Sequence, residues 1–258
     1  MAVELYDTHC HLLHGELAHD PDAVWARARE AGVAEAVVVG ITAESSEEVV
    51  AWVAERDGLH AAVGIHPNEV AKAAAGDWER IVALARKPEV VAIGETGLDL
   101  YWDEAPLALQ ESFLDRHAEL ALEVGRPLIL HLRDAYDRAA VRLEPWARRG
   151  LRAVVHCFGG RTEEIHPFVD WGWPISFSGI LTYPKAENVR EAARRTPLAQ
   201  TFVETDAPWL TPAAHRGRTN EPAFVAATAA VLASVHGETA ERIAAVTTAN
   251  ARAFFARG

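Results

Sequence analysis

The chain reads as a single α/β domain of the (β/α)8 TIM-barrel class, and three observations predict it. Eight short apolar runs recur at a steady interval along 258 residues. A helical pattern follows each run. No Pro/Gly/Ser-rich linker, charge block or low-complexity tract divides them, so residues 1–258 are expected to form one domain. The runs are rich in Val, Ile and Leu without polar alternation, as parallel strands covered on both faces should be. A doubly wound open sheet is the competing architecture, but no G-x-G-x-x-G follows any run.

The elements follow in order. A strand is expected at Val3–Asp7. Helix Pro21–Ala31 comes next, capped by Asp20, opened by Pro21 and stopped at Gly32. Strand Glu35–Ile41 leads to helix Ser46–Arg56, which has Ser and acidic residues in its first turn. Strand Ala61–Ile65, helix Trp78–Arg86, strand Val90–Gly94 and helix Pro106–Val124 continue the alternation. Strand Leu128–His131, helix Asp134–Arg149, strand Ala153–Cys157 and helix Thr162–Trp171 extend it. Strand Ile175–Ser178, helix Lys185–Arg195 and strand Thr201–Glu204 complete the count, and helices Glu221–Val235 and Thr239–Ala256 close the chain.

Composition narrows the functional class. Half the residues are hydrophobic, enough for a substantial core. No stretch approaches the roughly 18 apolar residues of a membrane span. The N-terminal residues lack a basic segment and a long apolar one, so the expectation is a cytoplasmic protein with no membrane partner. Its two cysteines, Cys10 and Cys157, are then reduced. The formal net charge of −12 argues against a large electrostatic footprint for duplex nucleic acid. It leaves open an enzyme that holds phosphate through metal ions and a few Arg. With no evident interface stripe, a monomer without an obligate protein partner is expected.

The polar residues fall where such a barrel builds its site, at the C-terminal ends of strands. His9-Cys10-His11 follows the first run. In extended backbone the two His side chains share a face and Cys10 points away, so the pair can grip one ion while Cys10 packs. Alone the pair says little, because roughly half of one H-x-H is expected by chance from 12 His in 258 residues. Glu95, His131, His156 and Asp206 fall at equivalent places after later runs. Four imidazoles and two carboxylates exceed what one tetrahedral ion takes, and two ions sharing a carboxylate use them better. His66, after the third run, faces either the substrate or a hydrogen-bonding partner. His14, His19, His60, His117, His166, His215 and His236 have no such placement and read as ordinary. Trp102, Phe158 and Trp209 lie near strand ends, where aromatic rings could stack on bases.

These segments resemble the TatD-type metal-dependent deoxyribonucleases, a branch of the amidohydrolase-like barrels. The resemblance covers nearly the whole chain. It is carried by Asp7-Thr8-His9-Cys10-His11, Gly64-Ile65-His66-Pro67, Ile93-Gly94-Glu95-Thr96-Gly97-Leu98-Asp99 and Gln110 with Phe113. It continues in Pro127–His131, His156-Cys157-Phe158-Gly159-Gly160, Glu204–Pro212 and Asn220-Glu221-Pro222. It implies that His9, His11 and Asp206 hold one divalent ion, His131 and His156 a second, and that Glu95 bridges them. The ions would be Mg, Mn or Zn. Three departures bear on substrate grip: Leu100 precedes Tyr101-Trp102 where aromatics usually follow at once, Leu132 stands before Arg133, and Thr219 precedes Asn220.

The implied activity is hydrolysis of phosphodiester bonds in DNA or an oligonucleotide, from single-stranded or exposed ends, by a water activated between two metals. Asp206 would serve as ligand and general base, with Glu95 as the catalytic bridge. Arg133, Arg216, Arg218 and His66 would bind substrate, the Arg side chains by fixing flanking phosphates. Asp99 could orient a ligand His, and Glu221 reads as structural. Two other classes stay open. One is hydrolysis of an amide, lactone or other ester, including an aminoacyl-tRNA ester; none of the three lysines, Lys72, Lys87 and Lys185, ends a strand where a carboxylated bridge would sit. The other is a metal-stabilised binding protein without turnover.

Overall fold

The computed structural model describes residues 4–256. Eight strands alternate with helices: β1 Leu5–Cys10, α1 Pro21–Glu30, β2 Val33–Val39, α2 Ala43–Val53, β3 Leu59–Val63, α3 Asp77–Leu84, β4 Val90–Asp99 and α4 Leu107–Val124. The series continues with β5 Leu128–Arg133, α5 Tyr136–Arg148, β6 Ala153–Val155, α6 His166–Asp170, β7 Ile175–Phe177, α7 Glu187–Arg195, β8 Thr201–Val203, α8 Val225–His236 and α9 Ala240–Phe255. The strands form one sheet in the order β1 to β8. β1 also meets β8, through a parallel bridge between Cys10 and Ala207 and a bond from Asp206 N–H to His9 O (2.9 Å). Element order, sheet order and the return of the last strand to the first are those of a (β/α)8 barrel. Among the described residues no single helix is long and apolar enough to cross a membrane.

Two compact units are distinguishable among the described residues, 4–37 with 157–254, and 38–156 with 255–256. In the first, Phe158, Phe168, Phe177 and Phe202 are fully buried, and their rings supply much of the apolar core. Phe158 is edge-on to Phe177, at 6.4 Å between ring centres. That burial corrects the expectation for Phe158: with 0 % exposure it offers no face to a base. Cys10 donates its S–H to Val37 O (3.4 Å) and is buried, as packing requires of it. Cys10 and Cys157 are both free thiols.

In the second unit, β3, β4 and β5 pair in parallel, as do β5 and β6. β4 runs to Asp99 rather than ending at Gly94. A register shift between Ile93 and Thr96 accommodates Gly94 and Glu95, after which pairing resumes as Gly97 with His131 and Asp99 with Arg133. Residues 95–99, expected only to follow the strand, are therefore part of it. Helix α2 also begins three residues before the expected Ser46. Thr42 Oγ1 accepts the Ser45 N–H (3.1 Å) and Ser45 Oγ accepts the Thr42 N–H (3.0 Å), a reciprocal cap that the Ser46 reading overlooked. Asp134 adopts a left-handed φ of 54°, so α5 starts at Tyr136 instead.

His117, on α4, turns out to organise this unit. Its Nδ1 donates to Phe113 O (2.6 Å) and its Nε2 accepts the Ile65 N–H (3.0 Å), which ties the end of β3 to the helix. Only the neutral ring can do both. Burial holds its pKa down to about 4, Arg116 adds to the lowering, and the bond to Phe113 opposes it. The unfolded chain takes up a proton near pH 6.5, whereas the folded one resists until about pH 4. Stability is accordingly expected to fall by about 3 kcal/mol as pH drops through that window. Urea unfolding of the protein and of His117→Gln at a series of pH values checks this. The variant, less stable at pH 7, should show a flatter decline, and equal slopes would refute the assignment.

Candidate metal centre

In the first unit the end of β1 and the turn after β8 converge. His9 and His11 present Nε2 atoms 3.0 Å apart, so the alternation expected of extended backbone does bring them to one face. Asp206 Oδ1 lies 3.7 Å from the first and 3.6 Å from the second. The point equidistant from all three atoms is about 2.0 Å from each, as triangle geometry requires of those edges, and ligands surround divalent ions at about 2.0–2.2 Å. Both imidazoles are buried.

A buried polar bracket holds this triangle. Asp7 Oδ1 accepts the Thr205 N–H (2.9 Å) and the His9 N–H (3.3 Å), and Asp7 Oδ2 is 2.6 Å from Thr205 Oγ1. Burial raises the Asp7 pKa to about 8 against the lowering effect of those bonds. Asn220 Nδ2 donates to Thr205 O (2.8 Å) and Trp209 O (2.5 Å), closing the turn that carries Asp206. Asp7, Thr205 and Asn220 stand in the motifs but received no role from the sequence. Their positions beside His9 and Asp206 were the available signal. Glu221 pairs with Arg27 of α1 (Nη2 to Oε2, 2.5 Å), a structural bond. Trp209 remains partly open and meets His11 edge-on at 5.1 Å.

In the second unit, Glu95 Oε1 lies 2.8 Å from His156 Nε2 and 3.0 Å from His131 Nδ1, and those two nitrogens are 3.5 Å apart. These three atoms are close enough together that all of them could serve one divalent ion. His66 joins the group, its Nε2 3.6 Å from Glu95 Oε1. His66 Nδ1 accepts the Asn68 N–H (3.1 Å), so the neutral ring carries its proton on Nε2 and acts as a donor there. Its Nε2 also lies with Glu95 and His131 in a group of donors that could hold an ion.

Asp99 orients His131. Its Oδ2 is 3.0 Å from His131 Nε2 and accepts from Asn68 Nδ2 (3.1 Å), the carboxylate–histidine pairing that commonly supports a metal ligand. Burial works to raise the Asp99 pKa, but bonds from His131, the Trp102 N–H and Asn68 hold it well below the usual carboxylate range. Burial likewise disfavours the charged His131 ring, and the carboxylates of Asp99 and Glu95 outweigh it and raise its pKa. A site this negative attracts cations, and its imidazole and carboxylate donors suit Zn, Mn or Mg. Gln110 fastens the end of β4: its Oε1 accepts the Asp99 N–H (2.8 Å) and its Nε2 donates to Asp99 O (3.2 Å).

The proposed substrate-binding arginines are exposed. Arg133 lies over Tyr101, with 3.9 Å from guanidinium carbon to ring centre. Arg218 lies over Phe224 at 4.7 Å and 3.9 Å from Glu221 Oε1. Arg216 is close enough to Tyr183 to lower its pKa, an effect smaller than the raising by burial and by Cys157.

The TatD-related DNase family profile matches residues 6–256. The chain belongs to that family. This TatD family member is 39 % identical over 250 residues to YcfH of Escherichia coli K12, an uncharacterized metal-dependent hydrolase, spanning 95 % of this chain and 93 % of the relative. It is 34 % identical over 256 residues to the 3'-5' ssDNA/RNA exonuclease TatD of Klebsiella pneumoniae, spanning 97 % of both chains. The crystal structure of YjjV, a TatD homolog from Escherichia coli K12, matches it with a TM-score of 0.92 at 34 % identity over 98 % of both chains. The expected class, a metal-dependent hydrolase of phosphodiester bonds, agrees with the family and with these relatives.

Proposed function

We propose that this TatD family member is a divalent-metal-dependent deoxyribonuclease that removes nucleotides from exposed single-stranded DNA ends. The observation that carries the reading is the pair of donor triangles, His9–His11–Asp206 and Glu95–His131–His156, each sized for one divalent ion. The whole chain, 1–258, acts as one catalytic domain holding two ions drawn from Mg, Mn and Zn, with the imidazoles favouring Zn or Mn. Such ions supply Lewis-acid activation of water and offset charge on the phosphoryl oxygens.

The protein's own residues divide the remaining work. His9 and His11 point one way because β1 is extended, and the Asp7–Thr205 bracket keeps Asp206 against them. Asp206 accepts a proton at its carboxylate as general base. Glu95 would be the carboxylate offered to both ions, a role supported by the family resemblance. His66 donates from Nε2 toward the anionic substrate. Arg133, Arg216 and Arg218 pair with flanking phosphates. The printed activity of the Klebsiella relative supports 3′-to-5′ removal from single strands. The net charge of −12 favours short strands over long duplex. Two free thiols suit a reducing cytoplasm, and the protein is taken to act as a monomer.

The test uses single strands labelled at either end, with and without EDTA. A 3′ label should leave at once as a mononucleotide, while a 5′ label should stay on a shortening ladder. EDTA should stop both, and added Mn or Zn should restore them. Metal analysis should find two ions per chain in the protein and fewer in Glu95→Gln. If no strand is cut under any metal, the nuclease reading fails; turnover of an aminoacyl-tRNA ester or another non-phosphate ester would put the amidohydrolase alternative in its place.

A further inference from the structure

β4 ends on Asp99, and the next three side chains, Leu100, Tyr101 and Trp102, are 44, 56 and 51 % exposed. Large apolar side chains this open are few: among the described residues only Val141 and Trp209 join them. An apolar cluster left facing water is a mark of a binding surface. The backbone beneath it is fixed. Asp99 Oδ1 accepts the N–H groups of Tyr101 (2.9 Å) and Trp102 (3.0 Å), and the Leu100 N–H donates to Arg133 O (2.9 Å).

The rings themselves are arranged. Tyr101 and Trp102 meet edge to face, with centres 4.8 Å apart and planes at 87°. The Arg133 guanidinium carbon lies 3.9 Å from the Tyr101 ring centre and 5.6 Å from that of Trp102. Stacking on a ring leaves guanidinium N–H groups free to donate at its edge. The other oxygen of Asp99 is 3.0 Å from His131 Nε2, so one carboxylate ties the exposed aromatic pair to an imidazole that faces Glu95.

We infer that Tyr101, Trp102 and Arg133 form a stacking platform for the nucleobases of a single-stranded DNA end, a binding site that rests on the nuclease reading above. Flat aromatic faces accept any base, because every base has a π face, and a cation beside them matches the phosphodiester. Only unpaired bases expose that face, which makes the platform selective for single strands without selecting a sequence. An uncharged apolar partner would leave Arg133 without a counterpart.

The test separates base stacking from phosphate binding and from cleavage. Fluorescence anisotropy is measured with the metal-loaded protein and a labelled phosphorothioate single strand. It is repeated with the same backbone carrying abasic residues at its 3′ end. The wild-type protein should bind the normal strand about tenfold tighter than the abasic one. Tyr101→Ala/Trp102→Ala should lose that difference, and Tyr101→Phe/Trp102→Phe should keep it. Both pairs are exposed, so neither should disturb folding. Equal affinity of the wild-type protein for the two strands overturns the platform, as does a double-Ala variant that retains the preference. Tighter binding of the normal strand by a protein that cuts no DNA supports the platform while overturning the nuclease reading.

Discussion

Asp206→Asn is expected to lower kcat/KM on single-stranded DNA about a thousandfold while leaving the fold intact. Loss of a positioned general base costs about 10²–10⁴ in rate. Asn is the informative substitution because Asp206 sits at a φ of 56°, a left-handed conformation that Asn tolerates and that Ala or a β-branched residue does not. An amide keeps one oxygen for an ion but removes the negative charge that lies 3.6–3.7 Å from both His9 and His11 Nε2. Rate measurements paired with metal analysis and thermal unfolding check the prediction. A variant with its metal, its melting temperature and its full turnover would strip Asp206 of the base role.

Gly97→Ala should be among the most destabilising small substitutions in the chain. Gly97 has a φ of 151°, and a Cβ there would collide with the carbonyl oxygen of His131, its partner in the β4–β5 register. Backbone strain and overpacking each cost about 1–3 kcal/mol, so a loss of about 2–4 kcal/mol is expected, with His131 pushed from its place beside Glu95. Gly150→Ala is the matched control: its φ of 87° is also left-handed, but no atom lies within 4 Å of the new Cβ. It should lose only about 1–2 kcal/mol from the backbone term. Urea unfolding of the two variants, together with the metal content of Gly97→Ala, tests the contrast, and equal losses would show that the close approach to His131 does not matter.

What could be read from residues alone was whatever repeats or alternates. Strand and helix positions follow from local apolar period, so the eight-fold alternation was legible, and most boundaries fell within a few residues. His9 and His11 were legible as a pair because strand alternation is a property of the backbone, independent of the rest of the fold. Asp20, Pro21 and Gly32 announced α1 because capping is a matter of adjacent residues.

Other assignments needed contacts between distant residues. Phe158 and Trp102 look alike as aromatics near strand ends, but one is sealed against Phe177 and the other stands open beside Arg133. His117 and His66 both stand as single histidines in the sequence. The proton on each is placed by a partner the sequence does not reveal, Phe113 O for one and the Asn68 N–H for the other. β4 outran its expected end because pairing with β5 resumes after the register shift, a gain that no local pattern encodes.

The sequence by itself determined the order of elements and the one-sided His9–His11 pair, and it supplied six candidate donor residues, because these depend on backbone period and on side-chain chemistry. Tertiary structure decided which atoms of those donors face one another, which supporting groups hold them and which aromatics remain in water. Distance and burial are set by residues far apart in the chain, and the strength of every hydrogen bond and pKa shift depends on them.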